Sequence, residues 1–378
     1  MNTESHPHSP KLQSGILEFD HRGGGIVRTI SRELETNPYD PRVNRQLIQR
    51  WNLREGCFLE FITANGQRGK EVSVIQTING LSPSDWALRP EFSKSTAVDP
   101  SERIRLTTSP EDVSMRIVDL LCPIGKGQRA LIVAPPRSGK TILMQQIAHA
   151  ISANHPEIDL IVLLVDERPE EVTDMSRTIR GEVFASSSDS DRESHVRLAQ
   201  LVLEYAKRKV ETGKHTVILL DSLTKMGRAF NAVQKSSGRT LSGGVDIRAL
   251  EIPKRIFGAA RTLEGAGSLT IIATALIETN SRMDELIFQE FKGTGNMELV
   301  LDRDLANDRI YPAINIPESG TRREELLFGR ETEKYQALRR VMNRMKPKQA
   351  MLAMQKAVSQ YSTNRKLLSK LTGESAEA

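Results

Sequence analysis

The sequence predicts an α/β domain, a mainly parallel sheet with helices on both faces, preceded by a small all-β barrel. Three observations predict it. After residue 113, near-continuous apolar runs such as "RALIVA", "DLIVLLVD", "TVILLD" and "SLTIIATAL" alternate with amphipathic stretches, the pattern of parallel strands buried on both faces. Residues 15–80 hold shorter β-rich runs, "GILEF", "GGGIVRTI", "CFLEFITA" and "KEVSVIQTI", punctuated by Gly, Asn and Pro. The first long apolar run leads directly into "APPRSGKT", residues 134–141, and then into a helical pattern, the strand–loop–helix setting of a phosphate-binding loop.

Taken in order, residues 1–14 are polar and read as a disordered tail. Residues 15–80 form the barrel, of the oligonucleotide-binding or cold-shock type. Residues 81–113 are rich in Pro and Ser without a steady period and read as a linker. Residues 114–378 form the α/β domain with its C-terminal helices. Within it, "SHVRLAQLVLEYAKRKVETGK" sets Val196, Leu198, Ala199, Val202, Leu203 and Ala206 at helical spacing, and the final stretch is helical with Pro347 interrupting it. A chain of 378 residues suffices for two or three domains. Its apolar runs are too short to cross a bilayer, and no charged-then-apolar leader opens it. Cys57 and Cys122 fit no metal or redox spacing, which favours reduced thiols in a cytoplasm. The net charge of +5 is compatible with a polyanionic partner without establishing one.

The phosphate loop needs backbone N–H groups converging at a helix N-terminus, where their partial positive charge meets phosphate. Gly139 permits the close approach, Lys140 reaches the terminal phosphates, and the Thr141 hydroxyl is a magnesium ligand. Ala134 stands where the usual G-x-x-x-x-G-K-[ST] pattern has its first glycine; at a strand end a small side chain suffices. Pro135 and Pro136 give up two N–H donors but stiffen the approach. Asp221 closes the apolar run "TVILLD" and is placed to hold magnesium through water. Asp166 and Glu167 close another. Glu170 and Glu171 follow Pro169, where carboxylates favour a helix start for structural reasons alone. Glu167 precedes that helix and is the candidate for polarising the attacking water.

These residues, with "PIGKGQR", "DERPEEVTDM", "SGGVD", "FKGTGNMEL" and "SGTRREELL", carry a resemblance to the bacterial transcription termination factor Rho family, from about residue 15 to the end and dense after 113. The resemblance implies a RecA-like, homohexameric, RNA-dependent ATPase, a translocase and helicase that binds ATP, Mg2+ and nascent single-stranded RNA and terminates transcription by dissociating RNA polymerase elongation complexes. Carried over by position, Gly125, Lys126, Gly127, Gln128, Arg129 and Ala130, with Arg137, Ser138, Gly139, Lys140, Thr141 and Ile142, surround the nucleotide. Glu167 matches the water-activating glutamate, Arg168 a nucleotide-contacting arginine, and Asp221 the magnesium-coordinating aspartate. Tyr311 falls where the family stacks an aromatic ring on adenine. Arg322 matches the arginine finger supplied by the next subunit, with Arg309 assisting from the same neighbour. Family loops carry alanine at the place of Ala134.

Two loops resemble those lining the family's central channel. Residues 234–246 contain Arg239, Thr240 and Ser242, and residues 277–285 contain Arg282, with arginines where the family has lysines. Mobile Gly-rich backbone with cations tracks a phosphodiester without reading bases. The barrel departs most from the family. In "GGGIVR", Gly24 and Ile26 take the places of base-stacking aromatics, and Arg42 that of a tyrosine, while Arg28 and Arg42 belong to a basic surface. Stacking contributes about 1–3 kcal/mol per base, so the expectation is a weakened or relaxed primary RNA site. The family's N-terminal helical subdomain is expected to be missing or cut to a tail. Two other readings stay open: a catalytic subunit of the rotary ATP synthase type, which shares the core, and a degenerate ring serving as a non-hydrolysing RNA-binding regulator.

Overall fold

The computed structural model of the chain describes residues 11–67, 69–234, 240–241 and 243–371. Strands β1 (Gln13–Phe19), β2 (Gly25–Arg28) and β3 (Arg42–Val43), helix α1 (Arg45–Arg50), and strands β4 (Phe58–Gly66) and β5 (Gly69–Ile78) open the chain. The five strands close into a barrel in the order β1-β2-β3-β5-β4. Alternation along each strand sends Leu17, Val27, Val43, Leu59, Phe61 and Val72 into its interior. β1 starts two residues inside the expected tail, because Gln13 and Ser14 pair with Phe61 and Glu60 to seal the barrel.

The segment expected as a linker carries α2 (Pro83–Ala87), β6 (Ala97–Val98) and β7 (Arg103–Ile104). Single aromatic anchors hold it. Trp86 is fully buried in the barrel core, its indole N–H donating to the Asn52 carbonyl at 3.3 Å, and Phe92 is buried in the core of the following domain. Lone anchors leave no period in the sequence, which is why the stretch reads as irregular.

The second domain begins with α3 (Val113–Leu121), β8 (Ile124–Gly125), β9 (Arg129–Ala134) and α4 (Lys140–Asn154). There follow β10 (Ile158–Glu167), α5 (Pro169–Thr178), β11 (Glu182–Ser187), α6 (Arg192–Glu211), β12 (His215–Asp221) and α7 (Leu223–Val233). A small hairpin, β13 (Thr240–Leu241) and β14 (Val245–Asp246), precedes α8 (Glu251–Gly258), β15 (Arg261–Leu263) and β16 (Ser268–Leu276). The chain ends through α9 (Arg282–Lys292), β17 (Met297–Val300), α10 (Arg303–Asn307), β18 (Gly320–Thr321), α11 (Glu325–Phe328), α12 (Thr332–Met342), α13 (Pro347–Gln360) and α14 (Asn364–Leu371).

The main sheet runs β11-β10-β12-β16-β9-β17-β18, with β15 antiparallel to β16 and β6 paired to β15. Its strands from β11 to β17 are parallel. Successive residues of β9 and β12 enter different cores: Ala130, Ile132, Val217 and Leu219 face α3, α4 and the C-terminal helices, whereas Leu131, Val133, Ile218 and Leu220 face α6, α7 and α8. Burial on both faces explains the unbroken apolar runs. The parallel direction brings the carboxyl ends of β9, β10 and β12 to one edge of the sheet, the usual ligand side of such folds.

Ion pairs fix the barrel to this domain. The fully buried Glu211 carboxylate on α6 accepts from Arg54 of the barrel at 2.9 Å and from the Phe92 backbone N–H at 2.7 Å, and pairs with Arg208 at 3.3 Å. Both cysteines are free and buried, and burial pushes each thiol up to about 12. Among the described residues, no helix is long and apolar enough to cross a membrane.

Candidate active site

β9 ends at the fully buried Ala134, and the chain turns through Pro135–Ser138 into α4. Ser138 is buried and donates its hydroxyl to the Pro135 carbonyl at 2.8 Å, bracing the loop. Gly139 caps α4 with φ 91°. The left-handed backbone there strains any other residue, and a Cβ would crowd the Tyr311 ring, whose carbons lie 3.2 and 3.3 Å from where it would sit. No acidic residue occupies the first turn of α4, so the positive end of the helix is left for a ligand.

Lys140 opens α4 and donates to both carboxylate oxygens of Asp221, at 2.6 and 2.5 Å. Asp221 ends β12 and is 2% exposed; Thr274 on β16 donates its hydroxyl to the same carboxylate at 2.6 Å. Half-buried Thr141 follows Lys140. A carboxylate and a hydroxyl are the hard oxygen donors that Mg2+ prefers, and a cation, the Lys140 ammonium, already rests on Asp221. The Asp221–Ser222 peptide is cis, as is Tyr311–Pro312.

Glu167 ends β10 and is 3% exposed. The pairing of β10 with β11 shifts register between Val165 and Glu167, and Asp166 adopts φ 56°. Such a bulge re-aims the side chain beyond it. The Glu167 carboxylate meets the Lys225 ammonium at 2.6 Å, and Lys225 also donates to the Asp166 carbonyl at 2.9 Å. Burial, and secondly the Asp221 charge, raise the Glu167 carboxyl to about 7 despite Lys225 and Lys140.

Tyr311, 42% exposed, walls an apolar cleft of about 190 Å³ with Ile142, Leu143, Leu301 and Pro312, beside Ser138 and Gly139. Its shape suits a flat heterocycle next to the phosphate loop. Arg137, in the phosphate loop, and Arg168, at the N-cap of α5, are both exposed.

Other expected residues lie elsewhere. Gly125–Ala130 sit at the amino end of β9, a strand's length of about 20 Å from the loop at its carboxyl end. They are committed to the sheet there: Lys126 is 4% exposed and pairs with Glu102 and with Glu157 at 3.2 Å. The Gly127 N–H donates to Thr270 at 2.7 Å, Gln128 to Asn296 at 2.7 Å, and Arg129 to the Thr294 carbonyl at 2.9 Å. Within one protomer they do not join Lys140. Arg322 belongs to that same far end, its N–H bonded to the Asn296 carbonyl at 2.9 Å next to the β17–β18 pairing. It is exposed, has no ion-pair partner among the described residues, and borders a cleft of about 510 Å³. Arg309 is exposed two residues before Tyr311, so the two arginines are separated.

Of the candidate RNA contacts, Arg239 and Ser242 lie outside the described residues. Thr240 pairs with Asp246 in the β13–β14 hairpin. Arg282 is exposed at the start of α9, its carbonyl packed against Gly243. On the barrel, half-buried Ile26 lies between Glu18 and the exposed Arg42, and Gly24 donates its N–H to Asp20 at 2.9 Å in a tight turn. Arg28 differs from expectation. It is 7% exposed and pairs with Glu18 at 2.5 Å and Asp40 at 2.9 Å, so its charge is spent inside the fold.

Sequence reasoning missed Lys225 and Thr274. Neither belongs to a motif, and the only signal was that two buried carboxylates require compensating donors.

Residues 114–321 match the model of the ATP synthase alpha/beta family, nucleotide-binding domain. The chain is similar to proteins named transcription termination factor Rho. That of Cereibacter sphaeroides is 49% identical over 338 residues, covering 88% of this chain and 80% of the relative. That of Streptomyces coelicolor is 52% identical over 332 residues (88% and 79%), and that of Aquifex aeolicus 47% identical over 362 residues (94% and 83%). Among solved structures, a prototypical ATPase from the type III secretion system of pathogenic bacteria matches with TM-score 0.62 at 20% identity, covering 82% of this chain and 93% of its own. An ATP synthase subunit from Nanoarcheaum equitans matches with TM-score 0.59 at 16% identity, covering 74% and 76%. These two share the fold.

Proposed function

We infer that this chain, which belongs to the transcription termination factor Rho family, is an ATP-dependent transcription termination factor whose hydrolysis is stimulated by single-stranded RNA within a homohexameric ring. One observation carries the catalytic reading. Lys140, opening α4, and Asp221 and Glu167, ending β12 and β10, come together at the uncapped N-terminus of α4.

In this reading the α4 N-terminus and Lys140 hold the phosphates of ATP, and the cleft beside Tyr311 and Ile142 takes the base. Arg137 and Arg168 offer further charge. Thr141 and Asp221 would hold Mg2+, which when bound neutralises charge on the phosphate oxygens. Lys140 then exchanges Asp221 for phosphate. Glu167, in its ionised form, orients and polarises water for attack. Arg322 is about 20 Å of strand away from Lys140, beyond the reach of one side chain, which supports its service to the site of a neighbouring protomer. There a fixed guanidinium offsets charge on the transferring phosphoryl group, an effect of about 10³–10⁵ in rate. Gly125–Ala130 lie on the same face as Arg322, so any role they have at the nucleotide is likewise across the interface. Arg282 and the 234–246 loop are assigned to RNA in the channel, and Arg42 to a barrel surface that follows phosphates with little base preference. RNA polymerase is the partner implied by the relatives' name.

The rotary-synthase reading is less supported, since relatives near half identical over most of the chain carry the termination-factor name. The complete set Lys140, Thr141, Glu167 and Asp221 disfavours a non-hydrolysing regulator. Steady-state ATP hydrolysis by the full chain, with and without RNA homopolymers, tests the proposal. Stimulation by RNA is expected; hydrolysis indifferent to every polyribonucleotide contradicts it.

A further inference from the structure

One face of α7 touches three things that the proposed function keeps apart. Near its N-terminus, Lys225 holds the Glu167 carboxylate at 2.6 Å and the Asp166 carbonyl at 2.9 Å. One turn later, Arg228 donates to the Asp284 carboxylate at 2.7 Å through Nε and again through its terminal nitrogen. Asp284 is 1% exposed, sits in the first turn of α9, and also accepts from Thr279 at 2.6 Å, so this pair ties α7 to the 277–285 loop. One turn later again, Asn231 accepts the Asp246 N–H at 2.8 Å and donates to the Gly244 carbonyl at 3.2 Å, tying α7 to the 234–246 loop. Positions 225, 228 and 231 recur every third residue, so they form one broad stripe about 9 Å long.

The helix beneath them is stiff. Leu223, Met226 and Phe230 are buried, and Gly227 lets α9 come so close that an added Cβ would stand 3.1 Å from the Ile287 side chain. The two loops also meet directly, Gly243 lying against the Arg282 carbonyl. Arg228 and Asn231 thus give each loop a direct tie to the one helix that carries Lys225.

We propose that Lys225 is a positioning residue that clamps Glu167 until RNA engages both loops. With Lys225 on one oxygen of its carboxylate, Glu167 has a cation beside the place where the attacking water must be polarised. Movement of α7, driven through Arg228 and Asn231, withdraws the ammonium and frees the carboxylate for water. The inference rests on the RNA-stimulated reading above and adds the element that carries the stimulation.

The test is the ATPase rate of the full chain with and without a saturating RNA homopolymer, for the parent, Lys225→Gln, Lys225→Arg and Asn231→Ala, with RNA affinity measured alongside. Lys225→Gln is expected to raise the RNA-free rate about fivefold or more, the lower end of usual coupling between sites, and to bring the stimulation ratio towards one. Lys225→Arg keeps the cation and is expected to restore the parental ratio. Asn231→Ala is expected to bind RNA yet be stimulated less. Parental stimulation retained in Lys225→Gln overturns the clamp, as does an equal loss of rate with and without RNA. A parent that RNA does not stimulate overturns instead the reading on which the clamp rests.

Discussion

At the scale of single residues, the account turns on Glu167. Its place before the helix start was legible because Pro169, Glu170 and Glu171 already explain the acidic run after it. Asp221 was legible for a similar reason, since a charge ending an apolar strand has few structural uses, and Lys140 was legible from the phosphate-loop pattern. Lys225 was not legible, since a lysine early in a helix is ordinarily a solvated one. Arg28 was misleading because its two carboxylate partners lie 10 and 12 residues away in sequence. Glu167→Gln is expected to abolish turnover while equilibrium binding of an ATP analogue survives; parental hydrolysis by this variant would remove Glu167 from the chemistry. The pH dependence has a definite sign. The working form is the carboxylate, and its carboxyl is raised to about 7, so turnover should climb as pH rises through that region. The same shift acts oppositely on stability. A carboxyl raised from 4.5 favours the folded state when protonated, and that contribution is lost between pH 4.5 and about 7. Unfolding free energy measured across this window should fall in the parent and fall less in Glu167→Gln; identical slopes would contradict the assignment.

At the scale of elements, the strands buried on both faces were the easiest to read. "RALIVA" and "SLTIIATAL" coincide with β9 and β16 to the residue. β11 and β17 went unnoticed: one ends in serines and the other has only four residues, so neither makes an apolar run. The stretch 81–113 was read as a linker because Trp86 and Phe92 anchor it singly, with no repeat to announce them. Gly125–Ala130 show a further limit. The resemblance places them at the nucleotide, and only the direction of β9 shows that within one protomer they lie at the end away from the phosphate loop. The tie between barrel and motor makes its own prediction. The Glu211 side chain is fully buried, and Arg54 is one of its two cationic partners. Removing one partner of a buried pair costs about 3–5 kcal/mol, and since Arg208 remains, Arg54→Ala should lower stability by about 3 kcal/mol. Urea unfolding checks this, and a change near zero would mean that the barrel is not held through Glu211.

At the scale of the whole molecule, the fold separates residues that the proposed reaction must join. Lys140, Asp221 and Glu167 lie at the carboxyl ends of the strands, and Arg322 at the amino end of β17's neighbourhood, exposed and without a carboxylate partner among the described residues. No motif spacing reveals this separation; it follows from the strand order and the direction of β9. On the proposed reading, a single protomer supplies half of each of two sites. The most direct measurement mixes two inactive proteins, Lys140→Ala, with a broken cradle and an intact arginine, and Arg322→Ala, with the reverse. Protomers are allowed to exchange, and hydrolysis of ATP is followed for a single turnover. The account expects the mixture to recover hydrolysis that neither protein has alone, because an intact cradle can then face an intact arginine. A mixture as inactive as its components, once mixed rings are shown to form, would contradict it.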